Sequence, residues 1–266
     1  TSKLFGRSAM LKVRIIPTLL WKEFGLVKGA NFDSWRRVGP VLPAIKVYNQ
    51  REVDELILVD IVAHESDDDL DYESVEDFAQ DCFVPFTVGG GITKVEQVQR
   101  LLNSGADKIS VNTSSYTDPA LIGKIAKLHG SQCVIASIDV RKVGDGWRCF
   151  SHSGKKDTGL EVMEWAREMY DQGAGELLVT SIDRDGTYLG YDLALIESVA
   201  QTVDVPVIAS GGAGSYQDMI DVVLKAGASA VAAASIFHFT EQTPAEAKIA
   251  LHNAGIPTRQ PYKGTV

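Results

Sequence analysis

Short apolar runs alternate with amphipathic stretches along almost the whole chain. Val13–Leu19, Glu55–Ile61, Phe83–Val88, Lys108–Val111, Cys133–Ile138, Glu176–Ser181, Val205–Ala209 and Ala230–Ala233 are brief and rich in Val, Ile and Leu, which predicts strands. Between and after them, Val41–Asn49, Tyr72–Asp81, Lys94–Asn103, Asp118–Leu128, Leu160–Tyr170, Leu193–Ala200, Tyr216–Leu224 and Ala245–Asn253 carry apolar residues at helical spacing, with Thr93 as the expected cap of the third helix. Leu20–Gly39 reads as a long loop, and Glu65–Asp71 as a solvated acidic loop leading into a helix N-terminus. Val143–Cys149, turning at Asp145-Gly146, reads as a β-hairpin. Eight strands alternating with eight helices fit an α/β fold, a single (β/α)8 barrel; an open doubly wound sheet has the same alternation.

An internal repeat separates those two. Val84-Pro85-Phe86-Thr87-Val88-Gly89-Gly90-Gly91 is matched by Val205-Pro206-Val207-Ile208-Ala209-Ser210-Gly211-Gly212. Each run is followed by a helix and a second apolar run, ending at Asn112-Thr113 and at Ala234-Ser235. Glu55 aligns with Glu176 in the same register. Four strands repeated close naturally into eight, so the barrel with an internal two-fold (half-barrel) repeat is favoured. Thr1–Ala9, ahead of Met10, reads as a tag remnant or short tail, and residues 10–266 as one barrel.

Composition narrows the function. A net charge of −9 speaks against a nucleic-acid surface, and no apolar run approaches the ~20 residues of a membrane helix. Cys82, Cys133 and Cys149 have neither metal-like spacing nor an even count, and the five histidines form no ligand pair, so no metal site is expected and a reducing cytoplasm is.

In such a barrel the C-terminal strand ends face the active site. These ends carry Leu20, Asp60, Gly89–Gly91, Asn112-Thr113, Asp139, Asp183–Gly186, Gly211-Gly212 and Ser235. Bare glycine backbone and small hydroxyl or amide side chains suit phosphate oxygens, and two matched copies point to a ligand phosphorylated at both ends. Turn chemistry alone is the plainer explanation of the glycines. Asp139 and Asp185 are candidate acid/base carboxylates, set against the ordinary alternative of an Asx turn or helix cap. Lys28, between Gly25 and Gly29, is a candidate mobile clamp on phosphate, or merely an exposed loop lysine. At the opposite strand ends, Arg14, Glu55, Lys108 and Glu176 are two cations and two anions able to close into a neutral ring, which unpaired charges on a barrel floor could not do cheaply.

Read together, these residues resemble the HisF family, the cyclase subunits of imidazole glycerol phosphate synthase. The resemblance covers Met10 to about Arg259 and is carried by Arg14-Ile15-Ile16-Pro17, Val27-Lys28-Gly29-Ala30-Asn31-Phe32, Pro85–Ile92, Gly105-Ala106-Asp107-Lys108, Ser153–Lys156, Thr180–Thr187, Ala209–Gly214 and Ser235–Phe239. It implies a barrel without a cofactor, docked on its N-terminal face by a separate HisH-like glutaminase. Arg14, Glu55, Lys108 and Glu176 would then gate the ammonia, and Asp107 would be a docking contact. It further implies phosphate contacts at Gly91, Asn112 and Thr113 for one end of the ligand, and at Asp185, Gly186, Gly212, Ala234 and Ser235 for the other. Lys28 would cover the substrate, and Asp139 would be the second catalytic aspartate.

One position departs. The family's first strand ends in Cys-Leu-Asp, whose aspartate is the principal acid/base; here the stretch is Thr18-Leu19-Leu20. Leucine transfers no proton, and Glu23 is the nearest carboxylate in sequence. An intact floor with a broken carboxylate pair resembles the HisF-like paralogues of surface-polysaccharide (lipopolysaccharide O-antigen) clusters, in which ammonia is passed to a third enzyme that amidates or amidinates a sugar. The other reading is a histidine-pathway cyclase with a displaced acid/base, turning ammonia and phosphoribulosyl-formimino-AICAR phosphate into imidazole glycerol phosphate and AICAR. A different isomerase or lyase on the same barrel is the third. The chain lacks a Gly-x-Cys-x-Gly elbow for hydrolysing glutamine, so any glutaminase is a separate chain.

Overall fold

The computed structural model describes residues 11–23, 25–63 and 69–260. The described strands are β1 (Arg14–Lys22), β2 (Gly25–Ala30), β3 (Asp33–Gly39), β4 (Leu56–Asp60), β5 (Phe86–Gly89), β6 (Lys108–Val111), β7 (Val134–Val143), β8 (Gly146–Ser151), β9 (Lys156–Glu161), β10 (Glu176–Ser181), β11 (Val207–Ser210) and β12 (Ala230–Ala233). The α-helices are α1 (Val41–Gln50), α2 (Tyr72–Gln80), α3 (Val95–Asn103), α4 (Ala120–His129), α5 (Val162–Asp171), α6 (Leu193–Ala200), α7 (Tyr216–Ala226), α8 (Ser235–Phe239) and α9 (Pro244–Asn253). Eight strands pair in parallel in the order β1, β4, β5, β6, β7, β10, β11, β12, and β12 returns to β1, which closes the (β/α)8 barrel. Closure leaves no unpaired edge and so excludes the open sheet.

Strand alternation builds two cores. Ile15, Leu19, Leu56 and Leu58 point outward into the layer between strands and helices, while Ile16, Ile57, Ile135, Leu178 and Ile208 fill the barrel interior. The repeat extends to helix capping. Gln97 Oε1 accepts from the amides of Thr93 (2.8 Å) and Lys94 (3.0 Å) ahead of α3, and Asp218 Oδ2 accepts from Gly214 (3.0 Å) and Ser215 (2.8 Å) ahead of α7. In each half the third helical residue reaches back to otherwise unpaired amides. The cap position before α3 is therefore Lys94, one residue beyond the expected Thr93.

Several expectations need correction. Leu20–Gly39 is not a loop: β1 runs on to Lys22, and β2 and β3 fold back as an antiparallel hairpin. Its turn, Asn31-Phe32, has φ of 51° and 62°, the left-handed pair of a two-residue hairpin turn, in which glycine usually follows the Asn. With Phe there instead, the usual turn signal is absent. The second hairpin is larger than expected, because β7 is continuous from barrel strand into extension and β8 and β9 add to it. Phe83, expected in the third barrel strand, is 81% exposed, and that strand begins at Phe86. Asp71 caps α2 through the Ser74 amide (3.0 Å), and residues 65–68 of the acidic run lie outside the described residues.

Candidate functional site

The two charged ends of the barrel differ in kind. At the floor, Arg14 opens β1, Glu55 immediately precedes β4, and Lys108 and Glu176 open β6 and β10. Arg14 Nη1 donates to Glu55 Oε1 (2.7 Å) and Arg14 Nη2 to Glu176 Oε2 (2.7 Å), while Lys108 Nζ donates to Glu55 Oε2 (3.1 Å) and Glu176 Oε1 (2.7 Å). Each cation bridges both carboxylates, so the expected neutral ring is closed. Burial pushes the Glu176 carboxyl up, but the hydrogen bonds and charges of Arg14 and Lys108 outweigh it and hold it below the usual carboxylate range. Asp107, beside Lys108, is exposed; its carboxylate accepts from the Phe86 amide (2.8 Å) and so ties two strand starts together.

Above the floor the lumen widens into a cavity of about 890 Å³ at the C-terminal strand ends. Leu20, Lys28, Gly91, Asn112, Thr113, Asp139, Asp185, Gly186, Gly212, Ala234 and Ser235 all line it, whereas Gly89, Asp183 and Arg184 do not. Gly91, with φ 67°, has no room for a side chain: a Cβ would lie 2.7 Å from that of Ala63. Gly212, with φ 110°, backs onto the Gly190 carbonyl in the matching position of the other half. Both are built for close backbone approach. Asn112 precedes a 3-10 turn at Thr113–Tyr116, and Ala234 precedes α8, so the paired strand ends lead into paired short turns.

Asp139, at 7% exposure, is the carboxylate facing this cavity most deeply. Burial pushes it up to about 7, against a hydrogen bond from Asn112 Nδ2 (2.7 Å) that holds it down and the nearby Asp185 charge that raises it further. A carboxyl poised there can take or give a proton at neutral pH.

Lys28 is not an exposed loop lysine. It lies on β2, 2% exposed, with Nζ 2.5 Å from Asp185 Oδ2. The Asn31 amide donates to the Asp185 carbonyl (2.8 Å), and Gly186 packs on Gly29 and Ala30. The hairpin is thus pinned across the barrel mouth, and the Asp185 carboxylate accepts from Lys28. Leu20 lines the cavity with its side chain half-buried, confirming that an aliphatic group occupies that strand end. Glu23 does not replace the missing carboxylate, since it is exposed in the turn after β1 and lies off the cavity. Asp60 is bound into an Asx turn with the amides of Val62 and Ala63, and Asp183 accepts from the Lys142 amide (2.9 Å), the ordinary fates of strand-end aspartates.

Sequence reasoning overlooked Phe32, Trp35 and His152, which also line the cavity. The first two are carried there by the unrecognised hairpin.

Comparison with known proteins agrees with the fold and the residue pattern. Residues 14–243 match the family described as Histidine biosynthesis protein. A protein of Hyphomonas neptunium named imidazole glycerol phosphate synthase subunit HisF is 49% identical over 251 residues, spanning 94% of this chain and 99% of that one. Subunits of the same name from Caulobacter vibrioides and Streptococcus sanguinis are 46% and 45% identical, again over 94% of this chain and over 97% and 100% of theirs. The chain belongs to the HisF family of histidine biosynthesis proteins.

Proposed function

We propose that this chain is the synthase-side barrel of a two-subunit glutamine amidotransferase. A HisH-like glutaminase docks on the N-terminal face near Asp107, and ammonia passes the Arg14–Glu55–Lys108–Glu176 ring. It meets, in the upper cavity, an elongated ligand phosphorylated at both ends, with cyclisation to imidazole glycerol phosphate and AICAR as the reaction. The observation that carries this is the shared axis: the closed ring at the floor and Asp139 at the mouth belong to one barrel interior. The names of the relatives support the same reaction over transfer to a sugar. Gly91, Asn112 and Thr113 hold one phosphate, and the backbone at Asp185, Gly186, Gly212, Ala234 and Ser235 the other. Asp139 transfers the proton, Lys28 anchors the roof, and the three thiols fit a cytoplasmic setting. Among the described residues no helix is long and apolar enough to cross a membrane.

Leu20 favours a second reading, in which the barrel conducts ammonia and binds a ligand without cyclising it, and a third enzyme modifies a surface sugar. A single assay separates the two. Cyclase action requires turnover of the bis-phosphate substrate with ammonium salt alone. Under the second reading that turnover is ~10²- to 10⁴-fold below that of Leu20→Asp, in which a carboxylate pair is restored. Wild-type turnover that Leu20→Asp leaves unchanged would remove the conduit reading.

A further inference from the structure

The floor ring is held from behind by groups that neither the proton nor the phosphate chemistry uses. Glu55, Lys108 and Glu176 each follow a residue whose amide donates to the start of the neighbouring strand: Asp54 to the Ile15 carbonyl (3.2 Å), Asp107 to that of Phe86 (2.8 Å) and Gly175 to that of Val134 (3.0 Å). At two of these the side chain completes a clip, since Asp107 accepts from the Phe86 amide (2.8 Å) and Asp54 from the Ile15 amide (2.9 Å). Gly175 has no room for one: a Cβ there would lie 2.1 Å from the Ser131 carbonyl oxygen. The two clips differ in their surroundings. Asp107 is exposed, whereas the Asp54 carboxylate is enclosed beside a buried cation. Lys248 of α9 is fully buried and donates to Asp54 Oδ1 (2.7 Å) and to the Glu52 carbonyl. Arg259 Nε reaches the same Asp54 oxygen (3.1 Å) from a half-exposed position. Burying an ammonium is costly, and an aliphatic side chain would pack α9 without that cost. What Lys248 supplies is direction: with Oδ1 drawn to its Nζ, Oδ2 is left facing the Ile15 amide. On the other side of Arg14, the Val13 amide donates to the Pro257 carbonyl (2.8 Å), and Thr258 Oγ1 donates to the Lys248 carbonyl (3.2 Å). Both backbone neighbours of Arg14, and the residue before Glu55, are thus fixed by α9 and the segment that follows it.

We infer that Lys248 is a positioning residue of the floor ring, setting the Arg14–Glu55 contact (2.7 Å) through Asp54. Its bearing on function rests on the proposed role of that ring in passing ammonia. Without Lys248, Arg259 alone draws the Asp54 carboxylate toward solvent and the Ile15 amide loses its acceptor. Arg14 then keeps Glu176 and holds Glu55 only loosely.

Nitrogen NMR of the Arg14 guanidinium in the full chain reads the ring directly. Nη1 donates to Glu55 and Glu176 and Nη2 to Glu176 alone, so the rotation that exchanges the two nitrogens is hindered in wild type. Lys248→Met should speed that exchange by ~10-fold or more, the weight of one charge-assisted hydrogen bond. Leu251→Ala opens a cavity under the same helix without touching Asp54, and should leave the exchange at its wild-type rate. Should Lys248→Met fail to fold, Asp54→Ala combined with Lys248→Met removes the clip and leaves no buried charge unpaired, with the same speeding expected. Unchanged exchange in the variant that folds overturns the inference. Equal speeding by Leu251→Ala overturns it too, because the effect would then be one of stability alone. With the glutaminase bound, the Lys248 variant should lower glutamine-driven turnover ~10-fold relative to turnover with ammonium salt. Faster Arg14 exchange with that ratio unchanged would support the positioning of the ring and overturn its role in passing ammonia.

Discussion

Asp139 and Leu20 divide the proton chemistry of the upper face between a carboxyl poised near neutrality and a side chain that cannot take part. Asp139 also affects stability. Its folded-state value of about 7 lies above the roughly 3.9 of an unfolded aspartate, so the folded chain holds the extra proton between those limits. Stability must therefore fall as pH rises through that window, and ionising Asp139 is a cost fully felt above about pH 7. Asp139→Asn should raise Tm by several degrees at pH 8 and by progressively less towards pH 4, measured by thermal denaturation across pH. A gain of the same size at both ends would show that the substitution acts through something other than charge. The aspartate itself was legible from its place at a strand end. Its raised value was not, because burial and the Asn112 and Asp185 neighbours come from other elements.

At the level of elements, the β2–β3 hairpin is what the sequence concealed. Its turn lacks glycine, and its two arms read as polar loop, yet Lys28 and Asp185 join across 157 positions of chain to hold it. Lys28→Met would leave the Asp185 carboxylate buried without its counter-charge, a defect worth several kcal/mol when it is not relieved by local opening. Beyond Val27 the hairpin no longer pairs with β1, so relief by local opening is expected. Hydrogen exchange of the Asn31 amide should speed up by at least ~10-fold while barrel amides such as that of Ile57 keep wild-type protection. Unchanged Asn31 exchange would mean that the pair does not hold the roof. The barrel strands and their helices, by contrast, were readable, apart from the start of β5 and the far ends of β1 and β7, since each expresses its own periodicity.

For the molecule as a whole, a second buried charge cluster beside the floor ties the last helix to the first two barrel strands. Lys248 of α9 is fully buried and donates from Nζ to Asp54 Oδ1 (2.7 Å), where Arg259 Nε also reaches (3.1 Å). Asp54 Oδ2 in turn accepts from the Ile15 amide (2.9 Å), and the Asp54 amide donates to the Ile15 carbonyl (3.2 Å). The last helix thereby fixes the spacing of the first two barrel strands, next to Arg14 and Glu55. Lys248→Ala should cost about 3–5 kcal/mol and lower Tm on the order of ten degrees. A drop of only a degree or two would show that Arg259 alone neutralises Asp54.

The sequence by itself determined the alternation of strands and helices, the repeat that makes eight strands close, the four charges of the floor and the absence of a carboxylate at Leu20. These follow from periodicity and from which residues stand at strand ends, both local properties of the chain. Only the tertiary structure decided that the first loop is a hairpin roof, that Lys28 is buried against Asp185, that Asp139 titrates near neutrality and that Trp35 faces the cavity. Each of those depends on which distant groups are brought together and how far water is excluded from them, and neither is expressed in local spacing.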